Sequence, residues 1–349
     1  MNYNYSNSEG RRLSTFDEYA GRLLPFEHED DNCKINYSGC MTDDKDDYIV
    51  IRIGDGKFRL MPGPEFSPRL YRGQNRYYPD CKPSVYRKKQ YPEYILSKIK
   101  LLEFIKLIGS SPIVELMRNL KIMEHSFSMD FHGLAQHYEL ETEMLDFTRS
   151  KDIAMFFALC AKNETANCYE PILDETREVV IYSLDIKKMI DSGEMVNIIG
   201  IQPLLRPFKQ KACSILLAIK DNLNTKPYIT YTKIKVDKKE AIRYYEMFDG
   251  GKALFPNEVV NNKAYEIKKS KVIDKEVVDF LFRKNILPKN VNNEKDLMQL
   301  LNGKNIEITD KTAELSFSQN ETSAIINSWR ETEKIIMAKI RLRGVADPV

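Results

Sequence analysis

Apolar residues change their spacing several times along the chain, and each change marks an element. Residues 1–45 hold no sustained period; polar and acidic patches dominate and run into Thr42-Asp43-Asp44-Lys45-Asp46-Asp47. Within them Ser14 and Asp17 stand at capping-box-like spacing before Tyr19, Leu23 and Leu24, which predicts one short amphipathic helix. The β-branched run Tyr48-Ile49-Val50-Ile51-Arg52-Ile53 predicts a first strand, closed by the turn Gly54-Asp55-Gly56. After Pro62-Gly63-Pro64, Leu70-Tyr71-Arg72-Gly73-Gln74 reads as a short strand ending at a glycine. From 92 to about 108, Ile95, Ile99, Leu102 and Ile105 recur at helical spacing. Ser111-Pro112 predicts the start of a second helix, a hydroxyl cap followed by proline at the first helical position.

Phe131, Leu134, Ala135 and Tyr138 then define one face of a short helix, with Ser128 as its expected cap. Leu145-Asp146-Phe147-Thr148 predicts a brief strand. Ser150 is expected to cap a helix that turns Ile153, Phe156, Phe157 and Cys160 to the core, with Asp152 at its positive end. Past a polar segment at 162–177 the period shortens, predicting strands at 179–184, 196–199, 212–219 and 228–236, then a helix at 238–248. From about 263 the chain reads as mainly helical, with a last helix at about 321–341. The sum is α+β: helices in the first half, and a largely antiparallel sheet dominating the second. The expected organisation is an extension at 1–45, a main domain at 46–262 and a helical C-terminal region at 263–349.

Charge narrows the class. Lys and Arg number 53 against 51 Asp and Glu, a net +2. A phosphate-backbone binder carries a strong basic excess, so nucleic acid is not indicated as a partner. The basic stretches at 82–100 and 263–275 read as solvated faces. No run nears the roughly 18 apolar residues of a membrane span, and Met1-Asn2-Tyr3-Asn4-Tyr5 lacks the basic start and apolar core of a secretory signal. The six cysteines, at 33, 40, 81, 160, 168 and 213, show no C-x-x-C spacing and no Cys/His cluster. A cytoplasmic protein without a metal site is the expectation.

Three clusters set polar groups beside sheet-forming runs. In Tyr71-Arg72-Gly73-Gln74, an arginine near a strand end can grip phosphate or carboxylate with two parallel bonds, and glycine lets a ligand or backbone approach. In Gly133-Leu134-Ala135-Gln136-His137-Tyr138, continuing to Thr142-Glu143-Met144-Leu145-Asp146-Phe147-Thr148, hydrogen-bonding groups crowd a helix-strand junction. Asp146 points away from Leu145 and Phe147 on a strand, and a carboxylate so placed needs partners, arginine best of all. His137 has a suitable pKa for a general base, and equally suits a satisfied structural role. Arg206-Pro207-Phe208-Lys209-Gln210 precedes the strand beginning at Ala212, and Arg206 is the expected partner of Asp146. No G-x-S-x-G, H-E-x-x-H or P-loop is present.

Together these clusters resemble the FRG domain. Tyr71-Arg72-Gly73-Gln74 stands where that family has Phe-Arg-Gly-Gln, and the second cluster resembles its A-x-Q-H-Y-G-L-P-T-R-L-L-D-W-T. Ala154-Met155-Phe156-Phe157-Ala158 is similar to the following A-x-x-F-A helix, Arg206 and Gln210 to an R-x-x-x-Q pair, and Leu254-Phe255-Pro256 to the closing L-F-P-D. Glu139, Glu141 and Glu143 replace the family's Gly, Pro and Arg; Lys211-Ala212-Cys213 replaces a Gly and an aromatic after the glutamine; Asn257 replaces the final Asp.

FRG domains themselves resemble ADP-ribosyltransferases, which implies a split-sheet fold with flanking helices and NAD as the substrate. The resemblance assigns Arg72 to the NAD phosphate or ribose and Thr148 to the nicotinamide pocket. It sets Gln210 near the position of the catalytic glutamate, although a glutamine cannot act as a base. With His137, these form the expected catalytic set. Tyr71, Gly73, Gln74, Gln136, Tyr138, Asp146 and Arg206 form the expected ligand-binding set.

Three functions follow. One is ADP-ribosyl transfer or NAD hydrolysis, as a bacterial toxin or phage-defence effector. Another is a non-catalytic module that senses a nucleotide or other anion. The third is a structural network in which Arg72, Asp146 and Arg206 satisfy one another. Trp329, with Ile325, Ile326, Ile336 and Met337, marks the last helix as a surface for the main domain or for a protein partner.

Overall fold

The fold was obtained as a computed structural model. It describes residues 48–341 apart from 53–55, 63–68, 88–89, 123, 164–167, 195, 199–200, 302–304 and 312–313. The helix expected from Ser14 and the turn residues Gly54 and Asp55 lie outside the described residues.

The first strands are β1 (Tyr48–Arg52), β2 (Lys57–Pro62) and β3 (Arg69–Gln74). Short β4 (Lys121–Ile122) and β5 (His125–Phe127) precede β6 (Met144–Thr148). A hairpin follows, β7 (Cys160–Asn163) with β8 (Cys168–Pro171), and then β9 (Glu178–Asp185). Next come β10 (Val196–Ile198), β11 (Ala212–Leu216) and β12 (Ile229–Lys235). The chain closes with β13 (Val272–Asp274), β14 (Glu307–Thr309) and β15 (Ile340–Arg341).

Helices α1 (Tyr91–Gly109), α2 (Pro112–Asn119), α3 (Phe131–His137) and α4 (Lys151–Leu159) belong to the first half. Short α5 (Ile186–Asp191) and α6 (Leu205–Lys209) interrupt the strand-rich part before α7 (Lys238–Met247). The last four are α8 (Val259–Lys269), α9 (Lys275–Arg283), α10 (Glu294–Leu300) and α11 (Gln319–Lys339).

The architecture is α+β. Its main sheet runs β10-β11-β6-β3-β9-β12 with every neighbouring pair antiparallel. Four of its six strands, β9 to β12, come from the second half, which this sheet dominates as expected, while its two middle strands, β6 and β3, come from the first. A second, mixed sheet, β15-β1-β2-β5-β4, is absent from the sequence reading. Its β4 and β5 are two and three residues long, too short to display a period.

One face of the main sheet buries Leu70, Leu145, Phe147, Tyr182, Leu184 and Ile215. The other face receives α4, and there Gly73 decides the spacing. A Cβ on Gly73 would lie 1.8 Å from the Ala154 carbonyl oxygen and 2.7 Å from the Ala158 nitrogen. Only a residue without a side chain lets β3 and α4 come this close.

Helix caps follow the chemistry of their residues. Ser111 accepts from the Ile113 amide with Pro112 at the first helical position, and Ser150 accepts from Ile153 at 3.4 Å, as the sequence predicts. The cap of α3 is Asp130, not Ser128: its carboxylate accepts from the Gly133 amide at 2.8 Å. A carboxylate is the stronger acceptor at the positive end of a helix.

Helix α1 divides its surface between two cores. Phe104, Ile105 and Ile108 join Leu134, Val260 and Trp329. Ile95, Ile99 and Leu102 join Val277, Phe280 and Leu297. The boundary expected at 262/263 therefore falls inside α8, and the C-terminal helices complete cores begun by the preceding residues. Trp329, 8% exposed, and Ile325 pack inward, whereas Met337 is 54% exposed. No helix among the described residues is long and apolar enough to cross a membrane.

Candidate ligand-binding site

At the middle of the main sheet Tyr71 of β3 pairs with Thr148 of β6, and β11 pairs Ala212 with Thr148 and Ser214 with Asp146. This register brings the three sequence clusters to one place, because Gln210 lies just ahead of β11 and α3 ends at His137. The result is a cavity of about 320 Å³ lined by Tyr71, Arg72, Gly73, Gln74, His137, Asp146, Thr148 and Gln210 among others. Alternation on β6 explains the carboxylate: Leu145 and Phe147 enter the core, and Asp146 takes the opposite face, half-buried.

The polar groups form a chain of contacts. Arg72 Nη1 donates to the backbone oxygen of Asp146 at 2.8 Å. Gln136 Nε2 donates to Asp146 Oδ2 at 3.1 Å, while Thr142 donates to the other end of the Gln136 amide. His137 Nδ1 meets Gln210 Oε1 at 2.9 Å, and Gln210 Nε2 donates to the Leu254 oxygen at 3.1 Å. Thr148 Oγ1 donates to the Gln210 oxygen at 2.8 Å and accepts from the Ser150 amide at 3.1 Å. Among the residues that line the cavity, three buried atoms have no hydrogen-bond partner: Arg72 Nε, His137 Nε2 and Asp146 Oδ1. The last two face each other at 3.8 Å, beyond hydrogen-bond reach.

Further lining residues escaped the sequence reading. Arg87, at the end of the 3-10 turn Ser84–Arg87, donates through Nε to the Lys82 oxygen at 2.9 Å. Burial and then the charge of Arg72 lower its pKa, so two guanidinium charges address the same cavity. Arg87 stands in a basic stretch that looks uniformly solvated. Phe157, expected in the core, packs against the Phe156 and Leu254 cluster and also lines the cavity with Tyr78 and Tyr169. Tyr169 stacks on Phe255 with centroids 5.0 Å apart, yet its segment offers no periodic signal. Burial pushes the lining thiol of Cys160 up to about 12, which leaves it a poor nucleophile.

Other expected residues lie elsewhere. Arg206 is not the partner of Asp146. Its Nη1 donates to the His137 oxygen at 2.7 Å, its Nη2 to Asn261 Oδ1 at 3.0 Å, and its plane lies over Tyr138 and Phe255. Arg206 thereby holds the end of α3 from behind. Tyr138 donates its hydroxyl to Glu258, which also accepts from the Leu205 amide. Burial raises the pKa of both Tyr138 and Glu258, and neither lines the cavity. Gln136 stands behind Asp146 as its donor. Gln74 lines the cavity, with its amide 3.6 Å from Cys81 Sγ.

The departures from the family pattern have local explanations. Glu139 and Lys211 adopt φ of 66° and 47°, the left-handed region that glycine occupies freely. Glu139 pairs with Lys162 and Lys268. Glu143 is buried against Lys98 and His132; burial alone would raise its pKa, but the His132 contact and the Lys98 charge hold it at about 2.

An α+β domain with a cavity of mixed polar and aromatic lining at the middle of an antiparallel sheet is the class these observations define. The family model for the FRG domain matches residues 67–167, a span that carries Arg72, His137, Asp146 and Thr148. The chain is an FRG domain-containing protein. No curated protein and no solved structure matches it.

Proposed function

We propose that this cavity binds a nucleotide-type ligand, NAD, and cleaves its nicotinamide N-glycosidic bond. The observation that carries the reading is the convergence of Arg72 Nε, His137 Nε2 and Asp146 Oδ1, all buried and unpartnered, on one cavity. Each such atom costs roughly 1–3 kcal/mol, and complementary ligand groups recover that cost. The guanidinium groups of Arg72 and Arg87 suit a diphosphate. The aromatic side chains of Tyr78, Phe157 and Tyr169, which line the same cavity, suit a base or nicotinamide.

The chemistry falls to Asp146, the carboxylate lining the cavity among the described residues. Its charge would stabilise the cation that develops at ribose C1′ as nicotinamide departs. Water then adds to C1′, giving ADP-ribose, nicotinamide and a proton released to solvent. Transfer to another acceptor would break the same bond, and NAD consumption of this kind fits a toxin or phage-defence effector. Gln210, engaged at both ends of its amide, acts here by positioning His137.

The test is nicotinamide release from NAD, followed by chromatography, for wild type and Asp146→Asn. Wild type should release nicotinamide, and the variant should lose about a hundredfold or more of the rate. Equal release by a folded Asp146→Asn would remove the assignment. A second reading, a non-catalytic nucleotide sensor, is favoured by the glutamine at 210 where the resemblance puts a glutamate. It predicts that NAD raises the melting temperature with no release of nicotinamide.

A further inference from the structure

Of the unpartnered atoms on residues that line the cavity, two serve as acceptors, and their spacing narrows the ligand. Gln210 cannot turn its amide over, because its Nε2 donates to the Leu254 oxygen and a flip would set two oxygens together. Its Oε1 therefore accepts from His137 Nδ1 at 2.9 Å, so Nδ1 carries a proton. In the tautomer this contact selects, Nε2 holds the lone pair, buried with the rest of a residue only 6% exposed. It stands 3.8 Å from Asp146 Oδ1, a second acceptor without a donor. Two adjacent acceptors call for two adjacent donors.

The surroundings select their kind. A cationic donor would face the guanidinium charges of Arg72 and Arg87, and an anion would face the Asp146 carboxylate. A neutral pair of hydroxyls meets neither objection. Arg72 Nε, the unpartnered donor beside them, calls for an acceptor on the same molecule.

We infer that the site recognises a ribose phosphate, with the cis-diol donating to His137 Nε2 and Asp146 Oδ1 and the phosphate on Arg72. This rests on the nucleotide reading of the cavity and goes beyond it, since it makes the ribose diol the discriminating feature. Gln210 is the positioning residue that fixes the histidine tautomer.

The experiment is a competition against ADP-ribose, which has no nicotinamide bond to lose, followed by saturation-transfer NMR on the full chain. Ribose 5-phosphate should displace it at about tenfold or more lower concentration than 2-deoxyribose 5-phosphate, the discrimination expected of a hydrogen bond to a charged group. In Asp146→Asn the side chain can keep its contact with Gln136 and turn an N–H into the cavity, so the discrimination should fall to about twofold or less. If Asp146→Asn does not fold, the comparison of the two sugars on wild type decides alone. Equal competition by both sugars, with Arg72→Ala abolishing ADP-ribose binding, would overturn the diol assignment and leave the nucleotide site standing. No binding of ADP-ribose would overturn both.

Discussion

Gly73 sits where a single methyl group would strike the backbone of α4, 1.8 Å from the Ala154 oxygen. The obstruction is main chain and cannot rotate away. Gly73→Ala should therefore force β3 and α4 apart and destabilise the domain by about 3 kcal/mol or more, measured by urea unfolding. An unchanged midpoint would show that this contact is not close-packed. Around it, Arg72, His137, Asp146, Thr148 and Gln210 stand in the sequence as polar groups beside apolar runs, and the fold brings them to one cavity. Arg206 went astray because the sequence shows that a carboxylate needs a partner but not which donor arrives. Gln136, ten residues away along the chain, donates to one carboxylate oxygen instead, and Arg72 reaches only the main-chain oxygen of Asp146. Glu139 and Lys211 illustrate the converse, since nothing in a lone glutamate or lysine announces a positive φ.

Elements with a period were legible, and elements without one were not. Helix α1 announced itself through Ile95, Ile99, Leu102 and Ile105, and α4 through its cap and apolar face. The second sheet stayed hidden because β4 and β5 are so short and β15 reaches β1 from the far end of the chain. Five-residue α6, with a proline inside it, reads as a turn. Between elements, Glu143 at the foot of β6 ties together Lys98 of α1 and His132 of α3. Its pKa falls from an ordinary 4.5 to about 2 in the fold. A depressed carboxylate contributes stability that is fully present above its unfolded pKa and is lost as pH falls through the folded one. Relative to Glu143→Gln, wild type should hold an advantage of up to about 3 kcal/mol near neutrality that disappears between pH 4.5 and 2. Urea midpoints of the two proteins across that range measure it. A difference independent of pH would mean that the carboxylate charge contributes nothing.

At the scale of the molecule, the C-terminal helices are joined to α1 by burial and by charge. Glu103 and Asp274 are fully buried; Lys100 and Lys311 contact Glu103, and Lys106 contacts Asp274. Removing one side of such a network leaves uncompensated charge in the interior. A chain ended at residue 262 would cut α8 and strip Ala264, Ile267, Leu315 and Trp329 from the core. It should show no cooperative urea transition and little near-ultraviolet circular dichroism, whereas a cooperative transition at the full-length midpoint would establish an independent domain. The sequence suggested an appendage there because composition turns polar and helical after 263, and it carries no record of which faces meet. With that support the sheet holds Arg72, His137 and Asp146 around one cavity. Calorimetric titration of NAD into wild type and Arg72→Ala tests this central claim most directly. Wild type should bind NAD saturably, and Arg72→Ala should fold and lose about tenfold or more in affinity. Equal affinity in the two proteins, or no heat from either, would contradict it.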